Sequence, residues 1–219
     1  MDTGIRRTIV TLEAYTEIRN ALFAGEWAPG TRIDRKELAR RFKISQTPIN
    51  DALNRLTGEG LVESRSRDGF FVPDYDDGEL ADLFAARAGF ESIAARLCAE
   101  EAAEADKRRL PAVFEPFGKT VVPTMESAYL AADQEFHKLV PGISGSLRLK
   151  EVEASFGHAF RSYEHGLVRP PSETLPEHRL IIDAIMAGAG RDAQVAMADH
   201  LLATRKVLLA RHGRVLAQD

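Results

Sequence analysis

The stretch DRKELARRFKISQTPINDALNRLTGEGL, residues 34–61, contains two short helical patterns separated by a brief turn. Asp34 is placed to cap the first pattern, with Glu37 three residues later in the arrangement of a capping box. Ser45 is placed to cap the second pattern, and Pro48 falls in its first turn, where a missing N–H costs little. Apolar residues recur at helical spacing in both halves. We therefore predict a helix-turn-helix in this stretch.

The second helix of the pair leaves polar side chains on its outward face, close to its start. These side chains are Gln46, Thr47 and Asn50. Gln and Asn amides can form bidentate contacts with adenine in the major groove, and a recognition helix presents its N-terminal residues to base edges. We expect this end of the helix to read DNA sequence. The alternative is an αα-hairpin in a structural domain, because such patterns arise often.

The flanking sequence predicts the remaining parts of a winged helix. A helix at residues 8–24, an edge strand at 31–33, and a hairpin with strands at 61–63 and 69–72 are expected. The tip of this hairpin carries Arg65 and Arg67. A basic tip of this kind is suited to approach phosphates or the minor groove, and the edge strand is expected to pair with the hairpin.

The distribution of charge singles out the same region. The whole chain has a formal net charge of −4, but residues 32–67 contain nine Lys or Arg against five Asp or Glu. A basic patch confined to one small module is the electrostatic footprint of DNA binding, although an excess of this size also occurs on solvated surfaces. The 219 residues, 44% of them apolar, are enough for one large domain or two modest ones.

The sequence gives no indication of membrane insertion or secretion. No apolar run reaches membrane-spanning length, and the N-terminus lacks the apolar segment and cleavage site of a secretory signal. We therefore expect a cytoplasmic protein. The single cysteine, Cys98, has no internal partner for a disulfide and lies among apolar residues, so we expect it to be a small core side chain.

The rest of the chain carries almost no strand signal. Helices are predicted at residues 79–104, 107–122, 123–140, 146–167 and 172–187, followed by a sixth that ends at Leu209. Prolines are expected to interrupt the helix at 107–122. The predicted fold class is therefore mainly α. A winged helix-turn-helix domain at residues 1–74 precedes an all-helical bundle of about six helices at residues 75–219.

One group of residues in the bundle has the chemistry of a metal site. Asp133 and His137 are four residues apart, so they share one face of the third predicted helix and can hold one ion. His178 and His200 face the apolar stripes of the last two helices. Imidazoles in such stripes need partners, and a metal with three imidazoles and one carboxylate supplies them. Taken singly, each histidine is more often a hydrogen-bonded core or surface residue.

A succession of motifs runs through the N-terminal third of the chain. In order they are GEWAPG at 25–30, ELARRF at 37–42, ISQTPINDAL at 44–53, RLTGEGLV at 55–62 and GFFV at 69–72. This succession resembles the DNA-binding domain of the GntR family of bacterial transcription regulators. Gln46 and Asn50 stand where that family usually has arginines, so the operator consensus of typical relatives is not carried over. The candidate DNA-binding residues are Arg35, Lys36, Ser45, Gln46, Thr47, Asn50, Arg55, Arg65 and Arg67.

The helical half has motifs of its own, which are RAGFE at 87–91, DQEFH at 133–137, EHRLI at 177–181 and DHL at 199–201. Behind a GntR-type winged helix they resemble the FadR-type branch, whose helical FCD domain binds ligands. The six predicted helices resemble its shorter VanR-like subgroup. The resemblance implies a divalent metal, foremost zinc, with nickel or manganese as alternatives, held by Asp133, His137, His178 and His200. The candidate effector-binding residues are Arg87, Glu91, His158 and Arg161.

The function implied by this resemblance is transcriptional regulation. We expect a homodimer on a pseudopalindromic DNA operator, acting as a repressor released when a small organic acid binds at the metal, with Arg87 as its charge partner. Two alternatives stay open. One is a metal-dependent, hydrolase-like enzyme fused to a DNA-binding module, because a metal with open positions can activate water. The other is a constitutive DNA-binding protein with an inert bundle.

Overall fold

The computed structural model of the protein describes residues 3–66, 68–155 and 167–213. These residues form two compact units, the first reaching Tyr75 and the second beginning at Asp76. The predicted fold class is confirmed, because a three-stranded sheet in the first unit accompanies helices in both. In the part of the chain that the structure describes, no helix is both long enough and apolar enough to cross a membrane.

The N-terminal unit is a winged helix-turn-helix. Its elements are α1 (Thr3–Phe23), β1 (Arg32–Ile33), α2 (Arg35–Phe42), α3 (Gln46–Gly58), β2 (Glu63–Arg65) and β3 (Gly69–Phe71). The central strand β3 pairs antiparallel with both neighbours, so that Phe71 lies opposite Arg32 on one side and opposite Glu63 on the other. The edge strand therefore joins the hairpin in a single sheet. Arg67, predicted at the hairpin tip, lies outside the described residues.

The ends of α2 follow from local chemistry. The side chain of Asp34 accepts hydrogen bonds from the backbone N–H groups of Lys36, at 2.7 Å, and Glu37, at 3.2 Å. The helix ends at Lys43, whose left-handed backbone, φ 55°, lets its N–H reach the carbonyls of Ala39 and Arg40. This turn places α3 directly after α2 in the predicted arrangement.

The start of α3 differs from the sequence prediction. Ser45 occupies the N-cap position, but its side chain makes no capping hydrogen bond. An N-cap side chain normally accepts from the backbone N–H two or three residues later. The third residue after Ser45 is Pro48, which has no N–H, so one of the two usual donors is missing.

The core of the N-terminal unit is entirely apolar. It is formed by Ala14, Ile18, Leu22, Ile33, Leu38, Ile49, Ala52, Leu53, Leu56, Leu61, Val62, Phe70 and Val72. These residues come from all three helices and from the sheet region, so the core fixes α3 against α1, α2 and the wing. Because the apolar face of α3 packs into this core, its polar face is fixed in an outward orientation.

The second unit is helical. Its elements are α4 (Asp77–Glu101), α5 (Glu104–Lys107), α6 (Arg109–Phe114), α7 (Glu126–Ile143), α8 (Leu147–Ser155), α9 (Pro171–Met186) and α10 (Gly190–His212), with a 3-10 turn at Pro123–Met125. Helix α4 begins in a capping box, in which Asp76 accepts from the Glu79 N–H and Glu79 accepts from the Asp76 N–H. It packs mainly against α10, and also against α7 and α9.

Two of the predicted helices differ from those in the structure. The helix predicted at residues 107–122, with interruptions at its prolines, is shorter in the structure, where α5 and α6 replace it and α6 ends at Phe114. Pro111 lies in the first turn of α6, where proline is tolerated, whereas Pro116 has no N–H to donate to the carbonyl of Ala112, so the helix does not continue through it. The helix predicted at 146–167 is seen as α8 up to Ser155, and its remainder lies outside the described residues.

Candidate metal centre and nucleic-acid interface

Three helices of the second unit bring four possible ligands to one point. Helix α7 supplies Asp133 and His137, one turn apart, while α9 supplies His178 and α10 supplies His200. All four side chains are buried, with exposed fractions of 0% to 4%. One ligand atom from each lies within 4.8 Å of the others. The arrangement therefore gathers the four predicted ligands around a common centre.

The three imidazoles face each other through their Nε2 atoms. His137 Nε2 lies 3.2 Å from His200 Nε2 and 3.4 Å from His178 Nε2. His178 Nε2 lies 3.3 Å from Asp133 Oδ1. Two nitrogen lone pairs that face each other repel, unless one nitrogen carries a proton or a cation lies between them.

Carboxylates outside the centre determine which ring nitrogen carries the proton in two of the histidines. His137 Nδ1 lies 2.5 Å from Glu91 Oε2, and His200 Nδ1 lies 2.6 Å from Glu177 Oε2. An ionised carboxylate only accepts hydrogen bonds, so each Nδ1 carries the proton and donates it. In a neutral ring the Nε2 lone pair then points to the centre, as in metal-ligating histidines with an outer carboxylate.

His178 has a neutral outer partner instead. Its Nδ1 lies 3.1 Å from the Tyr129 hydroxyl, which lies 2.7 Å from Thr174 Oγ1. If the Tyr129 hydroxyl donates to Thr174, it accepts from His178 Nδ1, and the Nε2 lone pair of this ring also faces the centre. The ring is held face to face with Phe114, with centroids 4.7 Å apart and an interplanar angle of 12°.

Two arginines hold the outer carboxylates in their ionised form. Arg87 Nε lies 2.7 Å from Glu91 Oε1, and both side chains are buried. Arg169 binds Glu177 with two nitrogens, at 2.6 Å and 2.8 Å. Burial favours the neutral acid at Glu177, but hydrogen bonds from His200 and Arg169 outweigh it and lower the pKa of this carboxyl to about 2. The pKa of Glu91 is likewise lowered despite burial, chiefly by the charge of Arg87 and by hydrogen bonds from His137 and Arg87.

The surroundings also keep two of the imidazoles neutral. Burial lowers the pKa of His178 well below its ordinary value, and the nearby His200 and His137 lower it further. Burial likewise lowers the pKa of His200, although its hydrogen bond to Glu177 acts in the opposite direction. Neutral imidazole is the form that binds metals, so both rings are ready to act as ligands.

A buried carboxylate oxygen tests whether these residues fit a metal ion. Asp133 Oδ2 is buried and has no hydrogen-bond partner among the residues that the structure describes. An unpartnered carboxylate oxygen is costly in a protein interior, and a cation removes this cost. Three inward nitrogens and one such carboxylate are the donor set that zinc and similar divalent ions accept. The residues therefore fit a divalent metal.

The predicted effector-binding residues fall into two groups. Arg87 and Glu91 are buried together on α4, where Glu91 is the outer partner of His137. His158 and Arg161 lie outside the described residues. Sequence reasoning did not single out three residues that complete the centre, which are Tyr129, Arg169 and Glu177. The only local signal was the position of Glu177 directly before His178.

The predicted DNA-binding residues cluster around the start of α3. Gln46 and Thr47 are exposed in its first turn, as are Ser45 before it and Lys36 on α2. Asn50 is half-buried and accepts a hydrogen bond from Arg35 of α2, at 3.3 Å. These side chains would be the first to meet a duplex placed against the start of α3.

Two predicted DNA-binding arginines, Arg55 and Arg65, form ion pairs with carboxylates of the same unit. Arg55 lies nine residues after Gln46, roughly two and a half turns away, and so on the opposite face of α3. There it stacks 4.0 Å from the ring centroid of Tyr15 and pairs with Glu59. Arg65 is exposed on the wing strand β2 and pairs with Glu63.

The N-terminal unit is a winged helix in which the start of α3 is polar and exposed, and this arrangement is typical of DNA-binding proteins. The helical unit contains a group of side chains that could hold a metal ion. Together they define the class of DNA-binding transcriptional regulators. Residues 10–72 match the family model of bacterial regulatory proteins of the gntR family, and residues 82–203 match the FCD domain. The chain belongs to the GntR family, with a helical FCD domain behind the winged helix.

Relatives and solved structures agree with this assignment. The Nta operon transcriptional regulator of Aminobacter aminovorans is 34% identical to this chain over 139 residues. The aligned part is 61% of this chain and 63% of that relative's length. The HTH-type transcriptional repressor RspR of Escherichia coli (strain K12) is 24% identical over 88% of this chain and 86% of its own. The structure of E. coli McbR/YncC matches with a TM-score of 0.71 over 93% of this chain and 98% of its own, at 19% identity, and so shows the fold alone.

Proposed function

We propose that this protein is a metal-dependent transcriptional repressor, composed of a DNA-binding domain at residues 1–74 and a sensory domain at 75–219. In this proposal a zinc ion is held by Asp133, His137, His178 and His200. The observation that carries it is the convergence of three imidazole Nε2 atoms and a buried carboxylate within 4.8 Å. Nickel and manganese accept the same ligands, so metal availability in the cell contributes to the choice.

The charges around the centre favour an anionic effector. Among the groups close to the centre, Arg87 is balanced by Glu91 and Arg169 by Glu177, whereas Glu173, the other partner of Arg169, has a side chain that is 53% exposed and is solvated. A divalent ion next to the Asp133 carboxylate therefore leaves one positive charge in a buried place. A small organic acid that coordinates the ion through its carboxylate neutralises this charge, which is our reason for proposing that class of effector.

The same contacts count against a catalytic role. A hydrolase would need a general base beyond the metal ligands. Glu177 is a poor candidate because its pKa is about 2 and both of its oxygens are already bonded. Glu91 is bound to Arg87 and His137 in the same way. We propose that the centre senses its ligand without converting it.

The DNA-binding half of the proposal rests on α3. A homodimer places two recognition helices on the half-sites of a pseudopalindromic operator, and Gln46, Thr47 and Asn50 meet the base edges. The RspR repressor among the relatives supports repression as the mode of action. An effector that favours the non-binding conformer by about 1–3 kcal/mol weakens operator binding roughly 5–150-fold.

Elemental analysis of the purified full-length protein tests the metal centre, alongside His137→Ala and the control His212→Ala. His212 lies outside the cluster, 3.7 Å from Asp76. We expect about one metal ion per chain in the parent and the control, and little in His137→Ala. The proposal is contradicted if the parent contains no metal even after exposure to zinc, nickel and manganese.

Fluorescence anisotropy with operator DNA tests the regulatory step. Candidate organic acids are titrated into the metal-loaded protein and into the chelated protein. We expect one class of acid to weaken operator binding only when metal is present, and to be recovered unchanged. Consumption of the acid would instead indicate an enzyme, and operator binding that no acid affects would indicate a constitutive DNA-binding protein.

A further inference from the structure

Arg35 connects three parts of the N-terminal unit. It lies at the start of α2, and one of its guanidinium nitrogens, Nη1, donates to Asn50 Oδ1 on α3 at 3.3 Å. The same guanidinium lies 5.8 Å from the ring centroid of Phe70 on β3, within the range of a cation–π contact. Phe70 is a buried core residue. The guanidinium of Arg35 is therefore positioned by two contacts, one with Asn50 on α3 and one with Phe70 on β3.

This contact fixes the orientation of the Asn50 amide. Arginine has five N–H donors and no acceptor, so only the oxygen of the amide can face it. The Asn50 Nδ2 hydrogens then point away from Arg35, and in the described part of the chain they have no protein acceptor. The side chain that the sequence predicts to read bases thus presents its donor edge.

We propose that Arg35 is a positioning residue that sets the base preference of Asn50, favouring guanine over adenine. This inference rests on the proposed role of α3 as the recognition helix. It extends that role by assigning guanine as the base that Asn50 reads, and Arg35 as the residue that determines this preference.

The hydrogen-bonding patterns of the two purines explain the preference. A bidentate contact with adenine requires the Asn oxygen to accept from N6–H while its amide nitrogen donates to N7. At Asn50 the oxygen is already shared with a guanidinium, whose positive charge and N–H donors repel the N6 amino group. Guanine presents two acceptors, N7 and O6, in the major groove. A donor edge beside a positive charge therefore matches guanine better.

The experiment compares base preferences of full-length variants. Duplexes are first selected from a random library with the parent protein, and binding is then measured on single-base variants of the selected half-site. Asn50→Ala identifies the base pair that Asn50 reads. Arg35→Met is the main test, because it keeps a long unbranched side chain but removes the guanidinium that lies near Asn50 and Phe70. Lys36→Ala is the matched control, an exposed neighbour on the same helix.

We expect Arg35→Met to shift the preference at the Asn50 base pair from guanine towards adenine by roughly tenfold, with other positions unchanged. Lys36→Ala should weaken all sequences alike and reduce the salt dependence by about one phosphate contact. Arg35→Lys, which keeps the charge but loses the planar fork, is the second variant should Arg35→Met unfold, and it should show a smaller shift in the same direction.

Two different failures are distinguishable. If Arg35→Met behaves like Lys36→Ala, with uniform weakening and unchanged base preference, Arg35 only contacts phosphate and the inference is overturned. A parent base pair other than guanine at the position read by Asn50 overturns it as well. If the parent selects no sequence from the library, the proposed function itself fails, whatever Arg35 does.

Discussion

The two units of this chain are built around opposite kinds of core. The winged helix surrounds thirteen buried side chains, all of them apolar. Every buried polar or charged side chain in the described ranges belongs to the helical unit, including Arg87, Glu91, Asp133 and the three histidines of the centre. An apolar core is complete with the chain alone, whereas a core of charges and lone pairs depends on what it binds. We therefore expect the stability of the winged helix to be independent of ligands, and that of the helical unit to depend on what its centre binds.

The largest expected effect is that of metal on the helical unit. An ion at a free concentration of a thousand times its Kd stabilises a folded unit by about 4 kcal/mol. Cys98 reports this change, because it is the chain's only cysteine, lies fully buried in the helical unit, and has a thiol whose pKa burial raises to about 12. At pH 8 it reacts with iodoacetamide only when the unit opens. We expect zinc to slow its labelling roughly a thousandfold.

Two histidine variants serve as controls for this measurement. His178→Ala should abolish the effect of zinc, and His212→Ala should leave it intact. Equal labelling rates with and without zinc in the parent would mean that the polar core is complete without metal, and the contrast between the two units would fail.

The second effect concerns the apolar core, where a substitution should lower the stability of the N-terminal unit alone. Leu53 is fully buried in α3, so Leu53→Ala should destabilise the N-terminal unit by about 3 kcal/mol, through lost burial and a cavity. Urea unfolding followed by circular dichroism measures this loss. Labelling of Cys98 should stay at the parent rate. Leu180→Ala, at a position 61% exposed, is the matched control and should change stability by less than about 0.5 kcal/mol.

The third effect distinguishes outer partners from simple ion pairs. Arg169 binds two carboxylates, Glu177 and Glu173, but only Glu177 contacts a proposed metal ligand, His200. Glu177→Gln should lower metal affinity about 10–100-fold, because the imidazole loses its charged partner. Glu173→Gln should leave the affinity near the parent value. Competition with a chromophoric chelator measures both, and equal losses would reduce Glu177 to a structural role.

The smallest effect concerns the two helix starts of the helix-turn-helix. Asp34→Ala removes two hydrogen bonds to backbone N–H groups and should cost about 1 kcal/mol of unfolding free energy. Ser45→Ala should cost much less, because the Ser45 side chain makes no capping bond. Urea titration of the two variants gives the comparison directly. A larger loss for Ser45→Ala would show that its hydroxyl has a stabilising contact in solution.

The parts of the fold that follow from the sequence are those encoded by neighbouring residues. The spacing of Leu38, Leu53 and Leu56 defines the faces of α2 and α3, and Asp34 marks the start of the first. Asp133 and His137 share a face because four residues make about one turn. His178 and His200 stand out in the sequence as imidazoles in apolar stripes that need a partner. The family resemblance then favours a shared metal, since nothing local says that α9 and α10 meet α7 at these positions.

The parts that sequence reasoning missed depend on contacts between distant residues. Glu177 and Tyr129 on their own helices look like ordinary polar residues, and their roles emerge only when α9 and α10 pack with α7. The sequence indicates that prolines interrupt this region but not where the helix ends, because proline is tolerated in a first turn, as at Pro111, and not further along a helix, as at Pro116. The capping hydrogen bond predicted for Ser45 is not formed, and Pro48, three residues later, has no N–H that could donate it.

The adjacency of Glu177 and His178 has a kinetic consequence. One of these neighbours is a proposed ligand, while the other holds the ligand on α10. A displacement of α9 therefore withdraws one ligand and frees a second in the same event. A metal held by these residues would therefore leave through a concerted opening of the helices, and not through the loss of one ligand at a time. We therefore expect the residence time of such an ion to be set by the opening rate of the whole helical unit.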